Sequence, residues 1–382
     1  MNNTVYFGDD SVSELRIYLE EFKEKKIFLV TGKKSYENCG AKLMIDELLV
    51  NHSYIRYSDF DVNPKIEDVI DGIKLFKSES CELTIAIGGG SVIDCGKLIN
   101  SLSHIDDEKL ISEYIIKNIN TPKKTFFFAM PTTAGAGSES THFAVVYLKN
   151  KKYSFANQNL LPDKVFIIPK FTYSLSKYQF ACSAADALCQ SIESFWAVNS
   201  NLTSKKYAKL SIQIILKNLL EAVINEDKEA RKQICLGANL AGKAINISKT
   251  TGPHAVSYPF TTHFNLNHGH AVSLSLPFFV KYNYDLKLGE CNDIRGVEYV
   301  KETLKDLCSI FGLNNVEHLS VNLKKLFNQI GLNQSLIELE LNSEKKINKV
   351  IDGINFERAK NNPRKINSLD LKEYFLIDLL EK

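Results

Sequence analysis

The sequence predicts two domains of different class: an α/β half over residues 1–172 and an all-helical half over 173–382. Three observations carry this. Short apolar, β-branched runs alternate with amphipathic stretches in the first half. Two of those runs open directly into loops of glycine and hydroxyl residues. After about Phe171 the strand signals stop and long stretches of helical periodicity follow. Alternating strands and helices imply a parallel sheet with right-handed crossovers.

In chain order, Lys26-Ile-Phe-Leu-Val-Thr31 is a buried strand ending at Gly32. Ala41 to Leu49 carries the apolar stripe of a helix. Tyr54 to Phe60 is a second strand, and Asn63-Pro64 opens a helix from Lys65 to Lys77. Leu83 to Ile87 is a third strand. It runs into Gly88-Gly89-Gly90-Ser91, and a helix begins near Val92-Ile93-Asp94. Thr125 to Met130 is a fourth, followed by Pro131-Thr-Thr-Ala-Gly-Ala-Gly-Ser-Glu139. Tyr178–Ala197, Ser204–Val223, Ala230–Ile247 and Leu274–Tyr282 read as helices, with several more between Val297 and Lys382.

Composition narrows the function classes. A chain of 382 residues with 44% hydrophobic and 24% charged residues buries a sizeable core. A net charge of +2 gives no reason to expect nucleic acid or an anionic membrane as partner. The eight cysteines form no CxxC pair and read as reduced thiols of a cytoplasmic protein. The N-terminus lacks the basic and apolar regions of a leader, and no run of 18 apolar residues suggests a membrane span.

A strand, three glycines and a helix start make a phosphate cradle. Glycines let the backbone approach an anion, and the first-turn amides and helix dipole attract it. A plain strand–helix turn has the same composition, and GxGxxG is absent. The second glycine- and hydroxyl-rich loop strengthens the nucleotide reading, because ligands of parallel sheets bind at the carboxyl ends of strands. In the second half Asp186 and Gln190 are four apart and share a helix face. With His254 and His268 from later elements, they would hold a divalent metal with an open position, a Lewis acid for a carbonyl oxygen. Taken singly, each histidine is also compatible with an ordinary buried or surface side chain.

Gly88-Gly-Gly-Ser-Val-Ile-Asp94 with Lys97, the 131–139 loop, Leu161-Pro-Asp163, Asp186-Ala-Leu, His254, His268-Gly269 and Asn362-Pro-Arg364 occur here in one order. Together they resemble the iron-dependent (group III) alcohol dehydrogenase family over nearly the whole chain. The resemblance implies a Rossmann-like dinucleotide-binding domain over 1–172 and a helical metal and substrate domain over 173–382, the dehydroquinate synthase-like fold. It implies hydride transfer between NADH or NADPH and an alcohol or aldehyde in the cleft between domains. It places Gly88, Gly89, Gly90, Ser91 and Asp94 around the pyrophosphate, and Thr132, Thr133 and Ser138 along the cofactor. Lys152 falls near the ribose and Asn63 near the adenosine end. Gly32 stands where the family usually has an aspartate on the ribose hydroxyls. With Lys33 and Lys34 beside it, tolerance of the NADPH 2′-phosphate is expected.

The implied metal, Fe2+ or Zn2+, falls to Asp186, Gln190, His254 and His268. Gln190 departs from the family's histidine, and its neutral amide is a weaker ligand. Tyr258 departs from a second common histidine. The proton for the alkoxide then comes from water, Tyr258 or His270. Asp186 to Ser200 and Ala241 to Thr251 are similar to the phosphonoacetaldehyde reductase branch, and Lys249 would neutralise a phosphonate. Lys249 also reads as a surface lysine at a helix end. The expected substrate is a small aldehyde, phosphonoacetaldehyde first, and the expected assembly a homodimer. The rival readings are a general iron-type alcohol dehydrogenase acting on another small aldehyde or alcohol, a dehydroquinate synthase-like lyase, and a metal-free NAD-binding pseudoenzyme.

Overall fold

The structure, a computed structural model, describes residues 4–8, 10–149, 151–356 and 358–378. The first three residues, used in reading the N-terminus, and the last four of the helical tail lie outside these. The chain divides into two compact units, Met1–Leu175 and Ser176–Lys382.

The first unit runs β1 (Thr4–Phe7), α1 (Ser11–Glu20), β2 (Lys26–Thr31), α2 (Ser35–Asn38), α3 (Ala41–Leu48), β3 (Tyr54–Tyr57), α4 (Ile66–Ser78), β4 (Cys81–Gly88), α5 (Gly90–Leu102), α6 (Glu108–Lys117), β5 (Phe126–Pro131), β6 (Phe143–Leu148), β7 (Lys151–Ala156) and β8 (Lys164–Ile167). Six strands form one parallel sheet in the order β1-β8-β5-β4-β2-β3. Both faces of its centre are covered, so β2, β4 and β5 are almost continuously apolar instead of alternating. Phe28, Val30, Ala86, Phe127 and Ala129 face a core shared with α4 and α5. Ile27, Leu29, Ile85, Ile87, Phe128 and Met130 point the other way, against α1 and α3. Each fully buried Val, Leu, Ile, Phe or Met among them contributes about 1.5–3 kcal/mol of transfer free energy.

Four strands lie beyond the sequence reading. β1 and β8 are four residues each and pair with one another. β6 and β7 form a separate antiparallel hairpin. The Tyr147 amide of this hairpin donates to the Pro64 carbonyl at 3.0 Å, which ties it to the start of α4. Asp163 clasps β5: its carboxylate accepts from the Phe127 amide and pairs with Lys123, at 2.8 and 2.9 Å.

The second unit is helical: α7 (Lys177–Trp196), α8 (Leu202–Ile224), α9 (Lys228–Ser248), α10 (Gly252–Phe264), α11 (His268–Tyr284), α12 (Val297–Ile310), α13 (Val316–Gln329), α14 (Glu344–Asp352) and α15 (Ser368–Asp378). A capping box starts α7: Ser176 Oγ accepts from the Gln179 amide while the Gln179 side chain accepts from the Ser176 amide. From Phe180 onward α7 is buried almost all round, under α8, α9, α11 and α12. Small residues permit this close packing. α11 begins at His268, six residues before the start read from sequence, and α10 was not read as a helix. Pro259 and Pro277 inside them mask the helical pattern.

Candidate metal and cofactor sites

β4 delivers the glycine loop and α5 begins at once, with Gly89 as its N-cap. The amides of Gly90 and Ser91 belong to the first turn and have no acceptor within the helix. The 131–139 loop closes over this turn. A β-carbon on Gly90 would lie 3.0 Å from Ala136 Cβ, and one on Gly89 3.3 Å from Thr133 Cγ2. The Thr132 amide donates to the Gly88 carbonyl at 3.0 Å, which holds the two loops side by side. Ser91 Oγ accepts from the amide of Asn63, a residue at φ 63°. Gly88 to Ser91, Thr132, Thr133, Ser138 and Asn63 thus come together around one helix N-terminus. The fit to a pyrophosphate lies in that close packing, since side chains on the glycines would fill the cradle.

Asp94 lies in the first turns of the same helix, and its carboxylate bonds Ser138. It is buried, and its carboxylate also accepts from the Val145 amide at 2.9 Å, tying α5 to the hairpin. Burial pushes its carboxyl up, against the opposing pull of Lys97. Lys97, one turn on, is 1% exposed and donates to the Thr141 carbonyl, Thr141 Oγ1 and the Phe143 carbonyl, at 2.7, 3.1 and 2.9 Å. Lys152 lies opposite Tyr147 in the hairpin register. Gly32 follows β2 beside Arg56, whose guanidinium donates to Thr31 Oγ1 and the Gly32 carbonyl at 2.8 and 3.1 Å. A β-carbon on Gly32 would lie 2.1 Å from Ser35 Oγ.

In the second unit Asp186, His254 and His268 each present a ligand atom, and the three lie within 4.8 Å of one another. Asp186 comes from the middle of α7, His254 from the first turn of α10 and His268 from the start of α11. Among the described residues this is the one such cluster of histidine, cysteine or acidic side chains. One carboxylate and two imidazoles suit Fe2+ or Zn2+ and leave a position open. Burial disfavours charge on Asp186, but His254 and His268 outweigh it and hold the carboxyl below its ordinary range. Gln190, one turn along α7, hydrogen-bonds the Asp186 carboxylate, to which it can only donate.

Glu193, which the sequence reading did not single out, lies against the candidate site. It is fully buried two turns after Asp186 and contacts His254 Nδ1 through Oε1. Burial lowers the His254 imidazolium, and Glu193 and Asp186 more than offset this, raising it to about 10. Between Tyr178 and Trp196 the only charged residues are Asp186 and Glu193, seven apart. That spacing in an otherwise uncharged helix was the available signal.

The remaining predicted residues separate. Tyr258 stacks on the His268 ring, with centroids 5.9 Å apart and planes at 5°. His270 is buried; its Nε2 donates to the Asn333 carbonyl at 2.7 Å and its Nδ1 lies 3.1 Å from the Tyr178 hydroxyl. Lys249 ends α9 with an exposed side chain, at φ 62° and ψ 177°. Only glycine adopts that region readily. Asn361 holds the turn, donating to the carbonyls on either side, Ser248 and Thr250, at 2.7 and 2.9 Å.

Two family models match the chain: "Iron-containing alcohol dehydrogenase" over residues 2–169 and "Fe-containing alcohol dehydrogenase family, C-terminal" over 180–376. An aldehyde-alcohol dehydrogenase of Entamoeba histolytica is 30% identical over 281 residues, 70% of this chain and 32% of that protein. A phosphonoacetaldehyde reductase of Streptomyces viridochromogenes is 30% identical over 240 residues, 60% of each. The match therefore spans about a third of the first relative's length and less than two thirds of the second's. Among solved structures, a sulfoacetaldehyde reductase of Bifidobacterium kashiwanohense in complex with NAD+ superposes with a TM-score of 0.88 at 26% identity. That comparison covers 100% of this chain and 98% of the other.

Proposed function

This chain belongs to the iron-containing alcohol dehydrogenase family, and from that premise we propose that it reduces a small aldehyde to its alcohol with NADH or NADPH at a divalent metal centre. The observation that carries the proposal is the convergence of Asp186, His254 and His268 from three helices in a buried setting. When bound, the metal supplies Lewis acidity toward the aldehyde oxygen, and the nicotinamide supplies the hydride.

The protein's own residues then do the following. Asp186, His254 and His268 hold the metal, and Gln190, whose amide N–H donates to Asp186, offers its carbonyl oxygen as a weak fourth ligand. Gly88 to Ser91 receive the pyrophosphate on first-turn amides, with Thr132, Thr133 and Ser138 alongside. Lys152 and Asn63 complete the cofactor's surroundings. Asp94 and Lys97 fix the loop that carries these groups. Tyr258, lying on the ring of His268, or a water provides the proton. His270 takes a positioning role, because both its ring nitrogens are already engaged with Tyr178 and Asn333.

The finer proposal is an aldehyde with an anionic head, phosphonoacetaldehyde first, reduced to 2-hydroxyethylphosphonate. Two of the relatives above carry the names of reductases for such aldehydes. Within this chain the support is Lys249. It is an exposed cation five residues before His254, at a strained turn where φ 62° costs a non-glycine residue about 1–3 kcal/mol. A homodimer and a cytoplasmic location complete the proposal. The eight free cysteines suit a reducing compartment. The test is NAD(P)H oxidation against an aldehyde panel containing phosphonoacetaldehyde and propanal, with and without added Fe2+. Metal-dependent turnover favouring the phosphonate supports the proposal; equal efficiency on propanal refutes its substrate part.

A further inference from the structure

We propose that Glu193 is a positioning residue of the metal centre, which fixes His254 as the tautomer protonated at Nδ1 and so turns its Nε2 lone pair toward the metal. The inference rests on the metal-centre reading above and concerns a residue outside the ligand set.

Glu193 lies seven residues after Asp186 on α7, two turns along the same face. His254 stands between the two carboxylates. Its Nε2 is 3.2 Å from Asp186 Oδ1, and its Nδ1 contacts Glu193 Oε1. The other oxygen of Glu193 is committed as well: Oε2 accepts from the Thr251 amide at 2.7 Å and from Thr251 Oγ1 at 2.9 Å. The indole of Trp196 donates to Thr251 Oγ1 at 2.9 Å. That bond leaves the hydroxyl proton of Thr251 to point at Glu193. The chain of donors therefore runs one way, Trp196 to Thr251 to Glu193, and every member is buried.

An ionised carboxylate only accepts. Nδ1 facing Glu193 must then carry a proton. By the same rule Nε2, facing Asp186 Oδ1, carries one while no metal is bound, and giving that proton up to a metal leaves the ring protonated at Nδ1. Nε2 is the atom that faces Asp186 and lies within reach of His268. Carboxylate partners of metal-bound histidines generally act in this way, fixing ring orientation and tautomer, and losing one weakens metal binding about 10–100-fold. Thr251 adds a backbone constraint. It is the N-cap of α10, so the oxygen that anchors Glu193 also sets where the first turn places His254.

Glu193→Gln tests this. Glutamine has the same length and can still accept from Thr251. It offers an N–H to Nδ1, which forces the ring proton onto Nε2, the ligand atom. The apoprotein variant should fold, while its affinity for Zn2+ in chelator competition falls about 10–100-fold. Glu193→Asp should recover part of that loss. Nitrogen-15 histidine spectra of the zinc-loaded wild type give a second readout that needs no variant. They should show His254 protonated at Nδ1 and metal-bound at Nε2. Undiminished zinc affinity in Glu193→Gln, or a His254 protonated at Nε2 in the zinc-loaded wild type, would overturn the proposal. A wild type that binds no zinc or iron would instead overturn the metal reading.

Discussion

Gly269 approaches Cys182 so closely that a β-carbon on it would lie 1.8 Å from the Cys182 carbonyl oxygen and 3.1 Å from Asp186 Cβ. The obstacle is backbone, which cannot rotate aside. Gly269 follows His268 directly, so this contact sets the distance between a ligand on α11 and the ligand Asp186 on α7.

Gly269→Ala should therefore act on the metal centre as well as on stability. Overpacking of this kind costs about 1–3 kcal/mol. Pushing α11 outward also carries His268 from Asp186, so metal affinity should fall tenfold or more. Zinc titration and urea unfolding of the same sample measure both effects. Normal metal affinity in a destabilised protein would mean that the contact serves packing alone.

Lys249→Gly should move two quantities in opposite directions. Glycine relieves the strain at φ 62°, offset in part by its greater freedom when unfolded. A net gain of about 1 kcal/mol is expected, read as a rise in Tm of a few degrees. Loss of the charge should raise KM for phosphonoacetaldehyde about tenfold to a hundredfold and leave propanal unchanged. Equal losses on both substrates would give Lys249 a structural role only.

Gly32→Asp requires Ser35 Oγ, 2.1 Å from the new β-carbon, to rotate aside. Gly32→Asp with Ser35→Ala removes that obstacle. The pair should shift the kcat/KM ratio toward NADH by tenfold or more, since a carboxylate here repels the 2′-phosphate. An unchanged ratio would place the ribose elsewhere.

The buried Lys97 makes stability depend on pH in a defined window. Burial lowers its ammonium to about 8, against about 10.4 in an unfolded chain. Between these values the unfolded state binds more protons, so the Lys97 contribution to stability rises with pH. The Lys97→Met variant lacks this slope. From pH 7.5 to 9.5 the wild type should gain about 1–2 kcal/mol relative to the variant in urea unfolding. A parallel pair of curves would show that Lys97 keeps its charge throughout.

The parallel sheet was readable because its central strands are buried on both faces and thus continuously apolar. The hairpin was not read, although Phe143 to Leu148 alternates half-buried and buried residues along its length. α10 and the start of α11 were hidden by internal prolines. Asp186, His254 and His268 were legible as ligand types, whereas their convergence depends on small-residue packing such as Gly269 on Cys182. Glu193 was not singled out in the sequence, because its partners His254 and Thr251 come from a later helix. The Asp94 motif was visible, but the direction of its side chain, toward Val145, needed the hairpin to be known.

The most direct test of the metal-centre account is to strip the protein of metal and titrate Fe2+ back under anaerobic conditions, following bound metal and aldehyde-dependent NAD(P)H oxidation together. The account predicts one equivalent bound, activity rising in proportion, and loss of both in His268→Ala. Full turnover in the stripped protein, or His268→Ala that binds iron and works like the wild type, would contradict it.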